Sequence, residues 1–312
     1  VWHWLAAGER DRAADALLAD RELAARSGVA GEIESLLDAF GDRPRRRTGG
    51  PEITQMAAVD SARPPLDPAR ARALAALRVE IAMRGGRYTE AFERASAAFG
   101  AVPPHLHAEL TLASGDVASA RRELTNLVAA ETDPGERARA IAMLAELELL
   151  AGDPDAAATQ LDAAGELEGA DPLARARVHL ATARLEEHQG RVAAMRSALA
   201  RAHGACKSAP TCIEASELTA IVDARRAIGL AREGRLVEAS AALDAADAAA
   251  RDLDVVAVAD EVVAARALLA RRRGDSATAA TMLRELVRGR RERGDELGAL
   301  RAELDLAELE IV

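Results

Sequence analysis

Gly86-Arg87-Tyr88-Thr89-Glu90-Ala91 joins two helix-like segments and places an alanine five residues after a glycine. Along the 312 residues, seven glycines lie between helix-like segments, each with a small residue or methionine five positions later and an apolar residue nine positions later. They are Gly8, Gly86, Gly115, Gly152, Gly190, Gly234 and Gly274. Positions +5 and +9 lie four residues apart and share one helix face. A unit recurring about every 40 residues predicts stacked helix pairs.

Helix starts recur at a fixed distance as well. Asp67-Pro68, Asp133-Pro134 and Asp171-Pro172 each precede a helix-like run, and each aspartate lies 19 residues before a glycine of the pattern. Aspartate can accept hydrogen bonds from the first free amides of a helix, and proline suits its first position. This spacing predicts first helices of roughly 17 residues, about 25 Å long.

The glycine, with small residues at +5 and +12 and a larger apolar residue at +9, resembles the tetratricopeptide repeat. The resemblance covers most of residues 67–290, and Gly8 to Leu17 outside that range. It implies an all-α fold, a right-handed α-solenoid of antiparallel helix pairs that forms a tetratricopeptide-like superhelix. Unit spacings of 29, 37, 38, 44 and 40 residues are irregular. Such units resemble the sensor arms of large ATP-binding bacterial regulators of the LuxR-type, maltose-regulator-like group, and Trp2 to Ala14 resembles a segment often found there.

Three segments divide the chain. Residues 1–40 are expected to hold partial N-terminal repeats, and residues 67–312 a tetratricopeptide-like array that ends in a half-repeat. Residues 41–66 are irregular, because their glycine and proline content excludes a regular helix in the first part. Two alternatives stay open for them: a degenerate repeat, or a disordered linker. The short units at both ends predict an excised part of a longer protein.

Charge and composition exclude several functions. Acidic side chains number 51 against 41 basic ones, whereas a general phosphate-backbone binder needs a surplus of basic charge. We therefore expect no nucleic acid as a partner of this segment. All six aromatic residues fall in the first third of the chain, so base stacking is not available to the rest. No apolar run is long enough to cross a bilayer, and no membrane partner is expected.

Motifs of catalytic sites are missing from the sequence. Lys207 is the only lysine, and Cys206 stands where a phosphate-binding loop needs glycine. His105 and His107 have no partners in a zinc-type spacing and are interpreted as surface or packing residues. The basic run Arg43 to Arg47 is interpreted as a solvated loop. We predict no enzyme activity, no cofactor and no metal.

His203, Cys206 and Cys212 fall in the longest unit, where the spacing suggests an inserted loop. Three interpretations stay open. Two free thiols would fit a reducing compartment, and a short disulfide would indicate an oxidising one. A zinc or redox-sensing site is the third. We favour free thiols and a cytoplasmic location.

First helices line the concave face in repeats of this type, so positions six and three before each glycine are expected to face a groove. The candidate binding residues are Glu80, Met83, Glu109, Leu112, Glu146, Leu149, Arg184 and Glu187. Acids beside apolar side chains suit a protein or peptide ligand with basic and apolar residues. Ile228 and Leu268 predict a more apolar late groove. Solvated helix faces that bind nothing are the alternative.

We therefore predict a non-enzymatic protein- or ligand-binding repeat domain. By resemblance, it would be the sensor or regulatory arm of a larger bacterial signal-transduction ATPase or transcription regulator, with a small-molecule inducer as a further candidate partner. The alternative is a structural assembly scaffold without a switching role, extracytoplasmic if Cys206 and Cys212 are bonded. The sequence does not indicate whether the chain forms oligomers.

Overall fold

The computed structural model describes residues 4–5, 9–19, 30–40, 66–98, 100, 102–165, 169 and 171–310. In these parts of the chain the regular structure is helical throughout, without a strand. The helices are α1 (Arg10–Ala19), α2 (Ala30–Phe40), α3 (Pro68–Arg84), α4 (Tyr88–Ala97), α5 (Pro104–Ala113), α6 (Val117–Ala130), α7 (Pro134–Leu150), α8 (Pro154–Gly165), α9 (Pro172–His188), α10 (Val192–Ser208), α11 (Ile213–Arg232), α12 (Leu236–Leu253), α13 (Val256–Arg272), α14 (Ser276–Glu292) and α15 (Glu296–Glu310). From α3 to α14 they form six pairs, and α15 follows. The architecture is an α-solenoid, as the repeat predicts.

Each of these six pairs is joined by a turn whose glycine has a positive φ. The angle is 71° at Gly86 and 81° at Gly152, in the left-handed region that favours glycine. At the end of α7, the Gly152 amide donates a hydrogen bond to the Leu149 carbonyl at 3.2 Å. The Asp153 amide donates to the Glu148 carbonyl at 2.9 Å. These two bonds satisfy carbonyls at the helix end, as in a Schellman motif. The recurring glycine therefore ends the first helix and reverses the chain.

The +5 and +9 side chains of the second helices form the core of each pair. The +5 residues are Ala91, Ala120, Ala157, Met195, Ala239 and Ala279, at 0–1% exposure, and the +9 residues are Ala95, Leu124, Leu161, Leu199, Leu243 and Leu283, at 0–6%. Small side chains at +5 allow a close approach of the two helices, and larger ones at +9 fill the remaining space. Ala13 and Leu17 of α1 are buried as well, although Gly8 lies outside the described residues.

Three first helices begin at an Asp-Pro pair, as predicted. Asp67, Asp133 and Asp171 each accept hydrogen bonds from amides of the first turn. For α9, the Asp171 carboxylate binds the amides of Leu173 and Ala174 at 2.8 and 3.0 Å. These bonds satisfy free amides, and the negative charge opposes the helix dipole. Helices α3, α7 and α9 are 17 residues long, which confirms the length expected from the spacing.

The longest unit contains no inserted loop, so that expectation was wrong. Its extra residues extend two helices, α10 with 17 residues and α11 with 20. His203 and Cys206 lie inside α10, and Cys212 is the N-cap of α11, where its sulfur accepts a hydrogen bond from the Ala215 amide at 3.3 Å. Both thiols are free, and Cys206 is buried, which raises the pKa of its thiol. In the described part of the chain no three metal-ligating side chains converge.

The N-terminal helices α1 and α2 pack on the array. Leu17, Leu37 and Leu77 of α1, α2 and α3 share one buried apolar cluster. Residues 41–65 lie outside the described residues, so the choice between a degenerate repeat and a linker stays a prediction, as does the three-segment division. None of the helices within the described ranges combines the length and the apolar composition that crossing a bilayer requires.

Replacing Gly152 with alanine is expected to lower the free energy of unfolding by about 1–2 kcal/mol. A Cβ at this position would meet no atom within 4 Å, so the cost arises from the positive φ and not from a clash. Gly204 is the matched control, because it lies inside α10 with equally open space around it. Gly204→Ala is expected to raise the free energy of unfolding by about 0.5–1 kcal/mol. Urea denaturation followed by circular dichroism measures both, and changes of the same sign would contradict the turn geometry.

Candidate functional site

The first helices α5, α7, α9, α11 and α13 pack side by side and, together with α3, form an inner wall. This wall curves until helices that are not neighbours touch. Arg139 on α7 reaches Glu214 on α11 at 3.1 Å, and Arg84 on α3 reaches Glu217 on α11 at 3.0 Å. The inner wall therefore encloses a narrow charged axis rather than a wide groove.

Four side chains from four helices form the centre of this axis. Glu146 on α7 is ion-paired with Arg184 on α9, and Arg184 reaches Glu261 on α13 at 3.3 Å. Glu261 also binds Arg225 on α11 at 2.7 Å. The four side chains are only 12–20% exposed. Removing a charge from water is costly unless a counter-charge is in contact. Each of the two carboxylates meets that requirement, because it faces two guanidinium groups. Glu146 binds Arg301 on α15 at 3.2 Å in addition to Arg184.

Electrostatic attraction in this cluster outweighs the cost of burial. Burial alone would raise the pKa of Glu261, but Arg225 and Arg184 bring the pKa down to about 2. Burial acts in the same way on Glu146, and its pKa is nevertheless lowered, mainly by Arg184. The pKa of Arg225 is raised above its usual range by Glu261 and Glu187, again against the effect of burial. The wall therefore stabilises the charged form of its own side chains.

A second group of ion pairs lies nearer to α3. Arg177 on α9 donates to Glu214 at 2.9 Å, and Arg139 binds the same carboxylate. Burial opposes the ionised form of Glu214, yet these two guanidinium groups lower its pKa. At Glu217 the balance is reversed: burial raises the pKa, and the single guanidinium of Arg84 does not compensate. The strength of pairing thus varies along the axis.

Two acids at the axis have no counter-charge in contact: Glu109, which is half-buried, and Asp305, which is exposed. Glu109 on α5 and Asp305 on α15 make no ion pair with any residue in the described ranges. Burial is the main cause of the raised pKa of Tyr88, and the charge of Glu109 adds to the rise. Loss of hydration raises the pKa of Asp305 to about 6 against the attraction of Arg225, and the charges of Glu187 and Glu308 add to the rise. At these two positions the nearby cations, Arg177 and Arg225, act on the carboxylate only from beyond contact distance.

The predicted charged residues are partly brought together. Glu146 and Arg184 are in direct contact, and Glu187 joins the same network through Arg225 at 3.3 Å. Glu109 lies on the wall, and Glu80 is half-buried on α3. These contacts are within the chain, and binding of a partner by these residues stays a prediction.

The predicted apolar residues lie between helices rather than on an open groove floor. Leu112 is 7% exposed and belongs to a buried cluster. Met83 and Leu149 are half-buried and pack against neighbouring clusters. Ile228 and Leu268 predicted a more apolar late part of the wall, and the structure does not show one. Both pack in the core of the solenoid, and charged side chains one or two helical turns away line the axis instead.

Several residues of the axis were missed at the sequence level. Arg139, Arg177 and Glu261 each lie 13 residues before a glycine of the pattern. That is seven residues before the −6 position, two helical turns away on the same face. This spacing could have identified them. Arg225 and Arg301 follow no common register, and nothing local in the sequence places them on the axis.

The two ends of the array meet along a seam, with α4, α5 and α7 on one side and α14 and α15 on the other. The Tyr88 amide donates a hydrogen bond to the Arg293 carbonyl at 3.1 Å. Leu297, at the start of α15, is 7% exposed and packs in the same buried cluster as Leu112. The ion pair of Arg301 also crosses the seam. The solenoid is therefore closed on itself.

A separate cleft of about 330 Å³ lies among α12, α13 and α14. Its lining combines apolar side chains such as Leu243 and Met282 with charged ones such as Arg266. Arg266 is already held by Asp247 at 2.9 Å. One charged side chain of the cleft is therefore already paired within the chain.

No protein-family model matches the sequence, and no curated protein matches it. Solved structures do match. A Rap protein complexed with competence and sporulation factor has a TM-score of 0.53 at 11% identity, over 96% of this chain and 98% of that one. A tetratricopeptide repeat protein from Parabacteroides merdae has a TM-score of 0.48 at 13% identity, over 93% and 99%. The first match shows a shared fold and confirms the helical-repeat α-solenoid.

Glu261→Gln is expected to lower the free energy of unfolding near neutral pH by about 3 kcal/mol, because Arg225 and Arg184 lose a shared carboxylate. Its pKa is about 2 in the folded protein and about 4.3 in an unfolded chain. The stabilisation is therefore complete above about pH 5 and is lost as the pH falls toward the folded pKa. The variant should lose less stability than the wild type over this acid range.

Glu238→Gln is the matched control, because Glu238 pairs with Arg235 on the exposed surface of α12. Exposed pairs contribute little, so this change should leave stability and its pH dependence nearly unaltered. Urea denaturation at several pH values measures both variants. If Glu261→Gln shows the same acid dependence as the wild type, the charge state assigned to the axis is wrong.

Proposed function

We propose that this chain is a helical-repeat domain whose inner wall binds a protein or peptide segment with basic and apolar side chains. The observation that carries this proposal is Glu109. It is an acid without a counter-charge in contact among the described residues, on a wall where the neighbouring carboxylates hold guanidinium groups. Leu112 lies one turn further along α5, in a buried cluster that it shares with Leu297 of α15.

A cation is the natural complement of this arrangement. An arginine of a partner could place its guanidinium on Glu109 as the chain's own arginines do on Glu146 and Glu214. Such charge-assisted, bidentate pairs are strong and geometrically selective. The net charge of −10 attracts the same kind of partner. An acidic segment would meet unmatched carboxylates and be rejected.

The proposal draws support from the shared fold. The Rap protein of the similar solved structure is complexed with competence and sporulation factor, so a solenoid of this shape can hold a partner. We extend the proposal to the sensor or regulatory arm of a larger bacterial ATP-binding signalling or transcription regulator, in the cytoplasm. The resemblance of Trp2 to Ala14 supports this step. Reading the gene around this segment tests it, since an encoded phosphate-binding loop or DNA-binding helix pair is expected.

A structural assembly scaffold is the second candidate. Its specific support was a disulfide between Cys206 and Cys212, and both thiols are free. A small-molecule inducer remains part of the proposal, with the cleft among α12, α13 and α14 as its place. The arm would respond to such a ligand only if the ligand bound its resting and active states with different affinity.

Glu109→Gln tests the binding role of the inner wall. Peptides selected from a phage-displayed library against the wild-type chain are expected to combine arginine with leucine or methionine. Their affinity, measured by calorimetry, should fall about tenfold in the variant, since a charged hydrogen bond contributes about 1.5–3 kcal/mol. The fold should be unaffected, because Glu109 makes no ion pair within the described part of the chain.

Glu285→Gln is the control variant. Glu285 is exposed on α14, a second helix, and lies away from the inner wall. This substitution removes the same charge from the chain as Glu109→Gln, so a general electrostatic effect would weaken peptide binding in both variants equally. Equal losses, or selected peptides without basic residues, would reject the inner wall as the binding surface.

A further inference from the structure

The C-terminal helix α15 has two different environments. It packs along α14 like any neighbour, and it also crosses the seam to α5 and α7. Leu297 enters the buried cluster that contains Leu112 and Leu144. One turn later on the same face, Arg301 binds Glu146 at 3.2 Å. The wall therefore already holds a helix through one leucine and one arginine, four residues apart.

The charges that α15 brings to the seam fit poorly. Burial lowers the pKa of Arg301, and the attraction of Glu146 does not offset it. Loss of hydration and the charge of Glu187 raise the pKa of Asp305 to about 6, against the attraction of Arg225. Burial also raises the pKa of Asp295, which lies just before the helix. The wall's own Glu146 and Glu261 show the opposite behaviour, with lowered pKa values. Burial is therefore less well compensated at these charged groups of α15 than at Glu146 and Glu261 of the wall.

The outer side of α15 is not covered. Leu300 and Leu304 are 45% and 51% exposed. They lie four residues apart and form an apolar stripe beside the stripe of Leu297 and Arg301. The other contacts of α15 are with α14 and α13: Ala299 and Ala302 share a buried cluster with Val263, and Arg271 donates a hydrogen bond to the Glu308 carbonyl at 3.0 Å.

We infer that α15 is a resident ligand of the inner wall, and that the partner is an amphipathic helix of another protein that displaces it at the seam. That helix would place a leucine-sized residue and, four positions later, an arginine in the sites of Leu297 and Arg301. At the position of Asp305 it would carry a neutral residue, because loss of hydration together with Glu187 and Glu261 outweighs the attraction of Arg225 for a carboxylate there. This inference rests on the proposed function and specifies the class of partner.

The test uses the full chain and a fluorescein-labelled peptide with the sequence of residues 295–310. The open variant Leu297→Ala plus Arg301→Ala removes both seam contacts of α15. By fluorescence anisotropy, it should bind the peptide at least tenfold more tightly than the wild type, because the intramolecular competitor is weakened. The matched control Leu300→Ala plus Leu304→Ala changes the exposed stripe of the same helix and should bind like the wild type.

Two altered peptides separate recognition from non-specific binding. A peptide with Leu297→Ala and Arg301→Ala should lose binding to the open variant. A peptide with Asp305→Asn should bind about threefold to tenfold more tightly than the parent peptide near neutral pH. Equal binding of all three peptides would overturn the inference.

Hydrogen exchange of the wild type tests displacement without any substitution in the chain. Saturating Asp305→Asn peptide should speed exchange of the α15 amides while α9 to α13 stay protected. If the peptide binds and α15 exchange is unchanged, the displacement fails while the proposed binding function stands. Light scattering on the wild type tests whether a second copy of this chain occupies the seam instead. A dimer formed by exchange of α15 between two copies would assign the seam to self-association and overturn the choice of a different protein.

Discussion

Charge burial on the axis is the constraint on which the closed form of this solenoid depends. First helices turn Glu146, Arg184, Arg225 and Glu261 toward a space with little water. A charge in such a place requires an opposite charge within contact distance. The adjacent helix does not always supply that charge, as the pair of Arg84 on α3 and Glu217 on α11 illustrates. The wall must therefore curve tightly enough for opposite sides to meet, and the seam follows from that curvature.

The local parts of the fold could be predicted because their causes are local. A glycine with positive φ ends a helix wherever it occurs, and an aspartate before a proline caps the next one. The +5 and +9 columns are likewise set by the period of a single helix. For these reasons Gly152, Asp171 and Leu243 had the roles that their positions indicated.

Curvature could not be predicted in the same way, because it depends on contacts between distant residues. Arg301 and Glu146 are 155 residues apart, and no register in the sequence relates them. The acids before the glycines suggested an open groove, whereas Glu146 lies in an ion-paired cluster. Of the arginines in that cluster and beside it, Arg184 belongs to the same row, and Arg139 and Arg177 lie two turns earlier, but Arg225 and Arg301 follow no common register. Helices α10 and α11 contain the extra residues of the longest unit, which the spacing between glycines had attributed to a loop.

Binding to this wall exchanges existing contacts for new ones and does not simply add contacts. A partner has to replace contacts that the chain makes with itself, so affinity depends on the difference between two sets of ion pairs. That difference favours selectivity, since a charged segment with the wrong spacing would break existing pairs without restoring them.

Tyr88 gives this closure an optical signature. It is the only tyrosine of the chain, and it lies at the seam with its phenol buried, which raises its pKa. Ionisation of a phenol shifts its ultraviolet absorption, so one chromophore reports whether the two ends of the solenoid are in contact. The molecule thus contains a built-in spectroscopic probe at the one place where its opening would first become visible.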